Sequence, residues 1–205
     1  MNIFTKKVFD KKTQKRKSSL LFQKGLSLIE ASMVLALSAI VVSGVMYYYQ
    51  AASDNNKTQS TVSEVMSIVS AVNGLYVGTS DYAGLNEEVI MKTSAIPDNY
   101  KYGTQIMHPF GGNVNLGQVN GGGYYIVLNK VPKGPCVSLA SMNFGTSLYG
   151  VGVGVGVGDA SKGQVNNIPG GNKADAGKIY NKALTPAQAA SACTTNTNDI
   201  AFLLK

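Results

Sequence analysis

The sequence predicts an α+β protein, in which a long N-terminal helix packs on a head domain of antiparallel sheet, short helices and one disulfide. Three observations support this prediction. The run from Ala31 to Tyr49 is apolar and carries no formal charge. Helical hydrophobic spacing continues beyond it to about Leu75. The rest of the chain holds short β-rich segments among glycine-rich turns, and 205 residues suffice for one such domain plus the helix.

The positive charge of the chain belongs to its N-terminal segment. Of the 18 Lys and Arg residues, eight lie in residues 1–25, where Asp10 is the one acid among the chain's 11. The remainder is formally neutral. Because phosphate binding needs a basic patch, we expect no nucleic-acid partner for the main domain.

The apolar segment is long enough to span a bilayer. About twenty apolar residues in a helix cross the hydrocarbon, so residues 26–49 suffice. Tyr47, Tyr48 and Tyr49 end the segment like an interfacial aromatic belt, and the cations before it predict a cytoplasmic N-terminus. A secretory signal peptide would have a shorter apolar core and a small-x-small cleavage site. A plain signal anchor would not account for an acid just inside the apolar boundary.

That acid is Glu30. A carboxylate in a bilayer helix costs on the order of 2 to 3 kcal/mol at the centre and less near an end. Cleavage between Gly25 and Leu26 would create an α-amino group four residues away, and the amine of a neighbouring subunit could then pair with Glu30. Alternatively, Glu30 snorkels to the interface or is protonated. The residues alone leave both alternatives open.

The segment KGLSLIE at residues 24–30, between a basic leader and a long apolar run, resembles the processing site of type IV prepilins. The long leader and the first mature residue, Leu26, resemble the type IVb branch. The stretches SAIPDNYK and HPFGG resemble the bundle-forming pilins of enteric pathogens. The resemblance implies that a prepilin peptidase cuts after Gly25 and N-methylates Leu26, and that Glu30 guides filament assembly.

The same resemblance implies an organisation and a function. Residues 1–25 would be a cleaved leader, 26–49 a transmembrane and polymerisation helix, and 50–205 an extracytoplasmic head. The chain would be the major subunit of a type IVb pilus that supports adhesion, bundling or aggregation. It would move from the inner membrane into an extracellular homopolymer with the help of the pilus assembly machinery. A minor pilin or secretion pseudopilin, and a signal-anchored periplasmic enzyme, are the alternatives.

Few residues of the head suggest chemistry. Cys136 and Cys193 lie in the predicted exported part and either form a disulfide or remain buried free thiols. His108, the only histidine, adjoins a Pro-Phe-Gly-Gly segment, which favours a surface or loop role over general-base catalysis. Neither Cys/His metal spacing nor a P-loop pattern is present in the sequence. We therefore expect no catalytic residue, metal site or cofactor.

The outer half of the long helix and the head elements follow from local signals. A stripe at helical spacing predicts the seam on which the head folds: Val62, Val65, Met66, Val69, Val72 and Tyr76. Local signals also predict helices at 86–93, 136–143 and 185–192, a turn at 97–99, and strands at 124–128 and 199–204.

Two glycine-rich regions complete the prediction. The Val-Gly repeat at 151–157 would, as a strand, place its valines on one face and bare backbone on the other, where something could pack closely. The alternative, slightly favoured here, is an expanded repeat in a strand or loop whose register is poorly fixed. Residues 158–182, rich in Gly, Asn, Lys and Asp, predict an exposed loop.

Overall fold

A computed structural model describes residues 27–79, 81–168 and 170–205. Within these residues a long helix, four short helices and an antiparallel sheet confirm the predicted α+β class. The helices are α1 (Leu28–Leu75), α2 (Glu87–Met91), α3 (Lys133–Ala140), α4 (Val157–Ala160) and α5 (Pro186–Ala192). The strands are β1 (Lys101–Tyr102), β2 (Gln105–Met107), β3 (Asn113–Gln118), β4 (Tyr124–Pro132), β5 (Leu148–Val153), β6 (Lys178–Tyr180) and β7 (Thr197–Leu204).

Helix α1 is continuous over 48 residues. Ser27 precedes it, and its carbonyl accepts a hydrogen bond from the Ala31 N–H at 3.0 Å. No proline interrupts the segment. Gly44 and Gly74 both lie within the helix and do not break it. The predicted end near Leu75 is confirmed, whereas the predicted start at Leu26 lies outside the described residues.

The chain divides into two compact units, one ending at Val45 and the other formed by Met46–Lys205, which we call the head. Within the head, Val65 and Val72 of α1 are fully buried in the main core, which confirms the predicted seam at these positions. The prediction is wrong at Met66, which is 51% exposed. Met66 follows Val65 directly, and one residue turns a helix by about 100°, which carries its side chain off the buried face.

The sheet has the strand order β1-β2-β3-β4-β7-β5-β6, so β4 and β7 lie at its centre. Ile126 pairs with Phe202, and Val127 pairs with Ala201. The first pair belongs to the main core beneath α1, whereas the second belongs to a smaller apolar cluster that includes Ala160 of α4. Both faces of the central strands are therefore covered, which explains their nearly continuous apolar sequences.

Both predicted strands are confirmed, and both are longer than predicted. The first, β4, runs to Pro132 through an irregularity in its pairing with β7. At this bulge Lys130 has a φ of 56°, and its N–H donates to Asp199 Oδ1 at 2.9 Å. The side chain of Asp199 thus satisfies a backbone donor that the interrupted ladder leaves unpaired. The second, β7, begins two residues before the predicted start.

Two short helices begin where their sequence signals predict. Asn86 caps α2 by accepting from the Val89 N–H at 3.0 Å, although the helix ends at Met91 rather than Thr93. Helix α5 has a complete capping box, in which the Gln188 N–H donates to Thr185 Oγ1 at 3.3 Å and the Thr185 N–H donates to Gln188 Oε1 at 3.0 Å. These local hydrogen bonds fix both helix starts.

The prediction for α3 was wrong by three residues at each end. The expected span was 136–143, with Pro135 as the opening residue, but the helix covers Lys133–Ala140. Pro135 is its third residue, a position at which the missing N–H would have no partner inside the helix anyway. Pro132 stands at the N-cap in an extended conformation.

The Val-Gly repeat is neither one strand nor one loop. Its first three residues belong to β5, Gly154 turns with a φ of 71°, and Val157 opens α4. Within β5 the glycine face is closely packed, because a Cβ on Gly152 would lie 2.6 Å from the Lys178 carbonyl oxygen. The slightly favoured alternative, a poorly fixed register, was therefore wrong for β5, since the pairing with β6 requires the glycine.

The predicted exposed loop at 158–182 was partly wrong. It contains most of α4 and all of β6, with Ala160, Ala174 and Tyr180 buried. Its composition does not reveal this, because the buried residues are single apolar positions among polar ones. The turn at 97–99 is confirmed as part of a short 3-10 turn, Asp98–Tyr100.

Candidate functional site

The apolar half of α1 has no cover within its own unit. Each described side chain from Leu28 to Val45 is exposed except Ala31, which is half-buried. Among the described residues, α1 is the one helix long and apolar enough to cross a membrane by length and composition. Exposed apolar surface costs about 25 cal/mol per Å² in water, so this surface requires lipid or other apolar helices around it.

Polar side chains within this surface are satisfied by the helix itself. The hydroxyls of Ser32, Ser38 and Ser43 each donate to a backbone carbonyl three or four residues earlier, at 2.7–2.8 Å. Such internal bonds remove the cost of placing a hydroxyl in an apolar environment. The serines therefore do not oppose burial of this surface.

Glu30 lies in the first turn of α1. Its Oε2 accepts a hydrogen bond from the Ser27 N–H at 3.0 Å. This is the glutamate half of a capping box, in which a side chain at the third helical position satisfies the N–H of the N-cap residue. The capping role was missed in the sequence analysis, although Ser-x-x-Glu at residues 27–30 signals it. Gly25 and Leu26, the predicted cleavage and methylation positions, lie outside the described residues.

The cysteines form the predicted disulfide. Cys136 in α3 and Cys193 at the C-terminal cap of α5 are bonded, with their Cα atoms 6.1 Å apart. Both residues are fully buried in the main core. The bond ties together two short helices that are 57 residues apart in the chain.

His108 lies in a loop, as one of the two predicted alternatives has it, but it is buried, at 2% exposure, rather than on the surface. Its Nδ1 accepts from the Phe110 N–H at 3.3 Å, and its Nε2 donates to the Asn129 carbonyl at 2.7 Å. Burial lowers the pKa of the ring, which is therefore neutral. Both nitrogens are engaged in holding the loop against β4, which leaves neither available for proton transfer.

Comparisons with known proteins identify the family. A family model described as Bundlin matches residues 50–201. The major structural subunit of bundle-forming pilus from Escherichia coli O127:H6 (strain E2348/69 / EPEC) is 50% identical over 191 residues, covering 90% of this chain and 95% of that protein. The corresponding subunit from Escherichia coli O111:H- is 50% identical over 192 residues, with the same coverage of both chains. The chain belongs to the bundlin family.

Membership of the bundlin family confirms the resemblance to pilins that the motifs indicated. The matched range, residues 50–201, includes both cysteines of the disulfide. Among solved structures, TcpA, a type IV pilin from the Vibrio cholerae El Tor biotype, has a TM-score of 0.48 and 12% identity. That match covers 73% of this chain and 99% of TcpA.

One polar residue of the bundlin head was missed by the sequence analysis. Glu64 of α1 is 4% exposed, and both of its carboxyl oxygens are buried without a hydrogen-bond partner among the described residues. Burial raises its pKa to about 8. Glu64 stands four residues before Ile68 and eight before Val72, both fully buried, and this helical spacing was a signal that could have found it.

Proposed function

We propose that this chain is the major structural subunit of a type IVb pilus, a homopolymer displayed outside the cell. Two relatives that are 50% identical over nine-tenths of the chain are each named as the major structural subunit of bundle-forming pilus. The observation that carries the proposal is the uncovered apolar half of α1, since a subunit that polymerises through this helix would bury it. A structural role of this kind involves no enzymatic activity.

We further propose a life history for the subunit. A leader, residues 1–25, would be removed after Gly25 by a prepilin peptidase, and Leu26 would be N-methylated. Before assembly, residues 26–49 would hold the protein in the inner membrane with the head, 50–205, outside. The pilus assembly machinery would then transfer it into the filament. The basic character of the first 25 residues and the length of the apolar segment support this sequence of events.

In this mechanism Glu30 would act through both of its oxygens. Oε2 accepts from the Ser27 N–H, which secures the first turn of the helix. A carboxylate accepts several hydrogen bonds, so Oε1 could receive the α-amino group of a neighbouring subunit without breaking the cap. An ion pair in apolar surroundings would fix the axial register, because leaving either charge unpaired is costly.

Two substitutions at Glu30 separate capping from charge pairing. Glu30→Ala removes both functions and should leave the protein membrane-bound but without normal filaments. Glu30→Gln keeps an oxygen that can accept from the Ser27 N–H but removes the charge, so it should also fail to assemble. Filament yield by electron microscopy and shear fractionation measures the outcome. Normal filaments from Glu30→Gln would reject the ion pair.

The matched control is Asp54→Ala, which removes an exposed acid from the same helix outside the apolar segment. It should assemble as the unmodified protein does. Intact-mass analysis of each preparation establishes whether the mature chain starts at Leu26. A start at Met1 in assembled filaments would contradict the proposed cleavage, and a methyl increment on Leu26 would support the proposed modification.

A further inference from the structure

The head contains a cavity lined by one charged side chain, that of Glu64, which has no hydrogen-bond partner among the residues that the structure describes. A cavity of about 270 Å³ lies between α1 and the segment 93–100, which links α2 to β1. The helix contributes Glu64 and three serines, and the segment contributes Ala95, Pro97 and Tyr100. The carboxyl of Glu64 is buried at the helix side of this cavity and accepts no hydrogen bond from any of the surrounding hydroxyls.

The charge of Glu64 would be uncompensated in this position. Tyr100 is the only other titratable residue that lines the cavity. The nearest charge in sequence on α1 is Lys57, which is exposed, and the charges on the segment side are Asp98 and Lys101, which pair with each other at 2.9 Å. Burial alone raises the pKa of Glu64, with no contribution from a neighbouring charge. The burial of the carboxyl atoms without a partner therefore favours the protonated form.

The segment that covers Glu64 is lightly held. Ile96 is its one fully buried side chain, whereas Pro97, Asp98 and Asn99 are exposed. Its backbone hydrogen bonds are local, such as the Tyr100 N–H to the Pro97 carbonyl at 3.0 Å. Helix α1, in contrast, is fixed in the core by its buried stripe. Moving the segment therefore costs less free energy than moving α1 when water gains access to Glu64.

We propose that Glu64 is the trigger of a pH-sensitive latch, in which ionisation of its carboxyl releases the segment 93–100 from α1. In the closed state the carboxyl is buried and protonated. The open state exposes it to water, where it ionises readily and carries the segment's exposed turn away from the helix. Because this turn is part of the head's surface, the latch changes the surface that the head offers to neighbouring molecules.

The sign of the pH dependence follows from the two states. The carboxyl has its ordinary pKa, 4.5, when open and about 8 when closed, so the closed state binds more protons between these values. Closure is therefore strongest at or below about pH 4.5 and weakens as pH rises. One proton of difference corresponds to about a tenfold change in the opening constant per pH unit. The effect levels off above about pH 8.

Hydrogen exchange tests the latch on the full-length protein in detergent micelles. Protection factors, which correct for the intrinsic pH dependence of exchange, are measured between pH 5 and 8 for the amides of Ala95 and Tyr100, which donate hydrogen bonds within the segment at 3.2 and 3.0 Å. We expect protection to fall by about tenfold per pH unit in the unmodified protein. In Glu64→Gln, which keeps the side-chain shape without a titrating group, protection should not depend on pH.

The matched control is Glu88→Gln, which neutralises an exposed acid of α2. It should retain the pH dependence of the unmodified protein. Equal pH profiles for the unmodified protein and Glu64→Gln would overturn the proposal. If Glu64→Gln does not fold, a carbon-13 titration of the Glu64 carboxyl in the unmodified protein decides: a midpoint near that of an ordinary glutamate would also overturn the proposal, whereas a clearly raised midpoint would support it.

Discussion

Removal of the disulfide should destabilise the head by several kcal/mol. The Cys136–Cys193 bond closes a loop of 57 residues, for which the chain-entropy model gives a stabilisation of about 4 kcal/mol. Both half-cystines are fully buried, so Cys136→Ala with Cys193→Ala removes the cross-link without adding polar atoms. Cys136→Ser with Cys193→Ser should cost more, since each buried hydroxyl without a partner adds about 1–3 kcal/mol.

Thermal unfolding in micelles, followed by circular dichroism, measures this prediction. For a protein of this size, 1 kcal/mol corresponds to about 2–4 °C, so the alanine pair should unfold roughly 8–16 °C lower. The steady-state level in the cell should fall with it, and more so for the serine pair. Unmodified protein reduced with a thiol is the control and should match the alanine pair more closely than the serine pair, because a buried thiol behaves as a small apolar group. An alanine pair within about 1 kcal/mol of the oxidised protein would refute the entropic argument.

Three further substitutions test the packing and the caps. Gly152→Ala should destabilise the head by about 1–3 kcal/mol in urea unfolding, because its Cβ would lie 2.6 Å from the Lys178 carbonyl oxygen. The control is Gly158→Ala, directly after the repeat, where a Cβ would have nothing within 4 Å, so the change should be neutral or slightly stabilising. Equal changes in stability for the Gly152 and Gly158 variants would contradict the close packing at Gly152. Thr185→Ala should cost about 1 kcal/mol by removing the side-chain cap of α5, and no measurable loss would show that the Gln188 half of the box suffices.

The elements predicted correctly are those whose sequence signals lie within a few residues of one another. Thr185-Pro186 with Gln188 predicted α5, because the capping box is a local hydrogen-bond pattern. Asn86 predicted the start of α2 for the same reason. The end of α1 followed from hydrophobic spacing. Pro135 misplaced α3, because a proline is compatible with any position in the first turn and so does not fix the start.

The elements that were missed depend on distant partners. Strand β3 includes Asn113, Gly117 and Gln118, residues of low strand propensity, and it is a strand because it pairs with β4. Strand β6 has three residues and exists through its pairing with β5. Burial of His108 likewise depends on Asn129, 21 residues away, whose carbonyl it binds. Local composition contains no information about such pairings.

Glu30 and Glu64 are both glutamates of α1, so residue type alone does not distinguish the proposed assembly site from the proposed latch. Glu30 is exposed on an apolar surface and accepts a backbone hydrogen bond, and we propose that it also contacts a second subunit. Glu64 is buried without a partner, so its charge is suppressed until the head opens. The two residues are 34 positions apart on α1, and we expect their effects to add. In Glu30→Gln combined with Glu64→Gln, filaments should be lost as in the first variant and the pH dependence lost as in the second. Restored filament assembly in the double variant would show that the latch and the assembly site are coupled. That result would contradict independent action of Glu30 and Glu64.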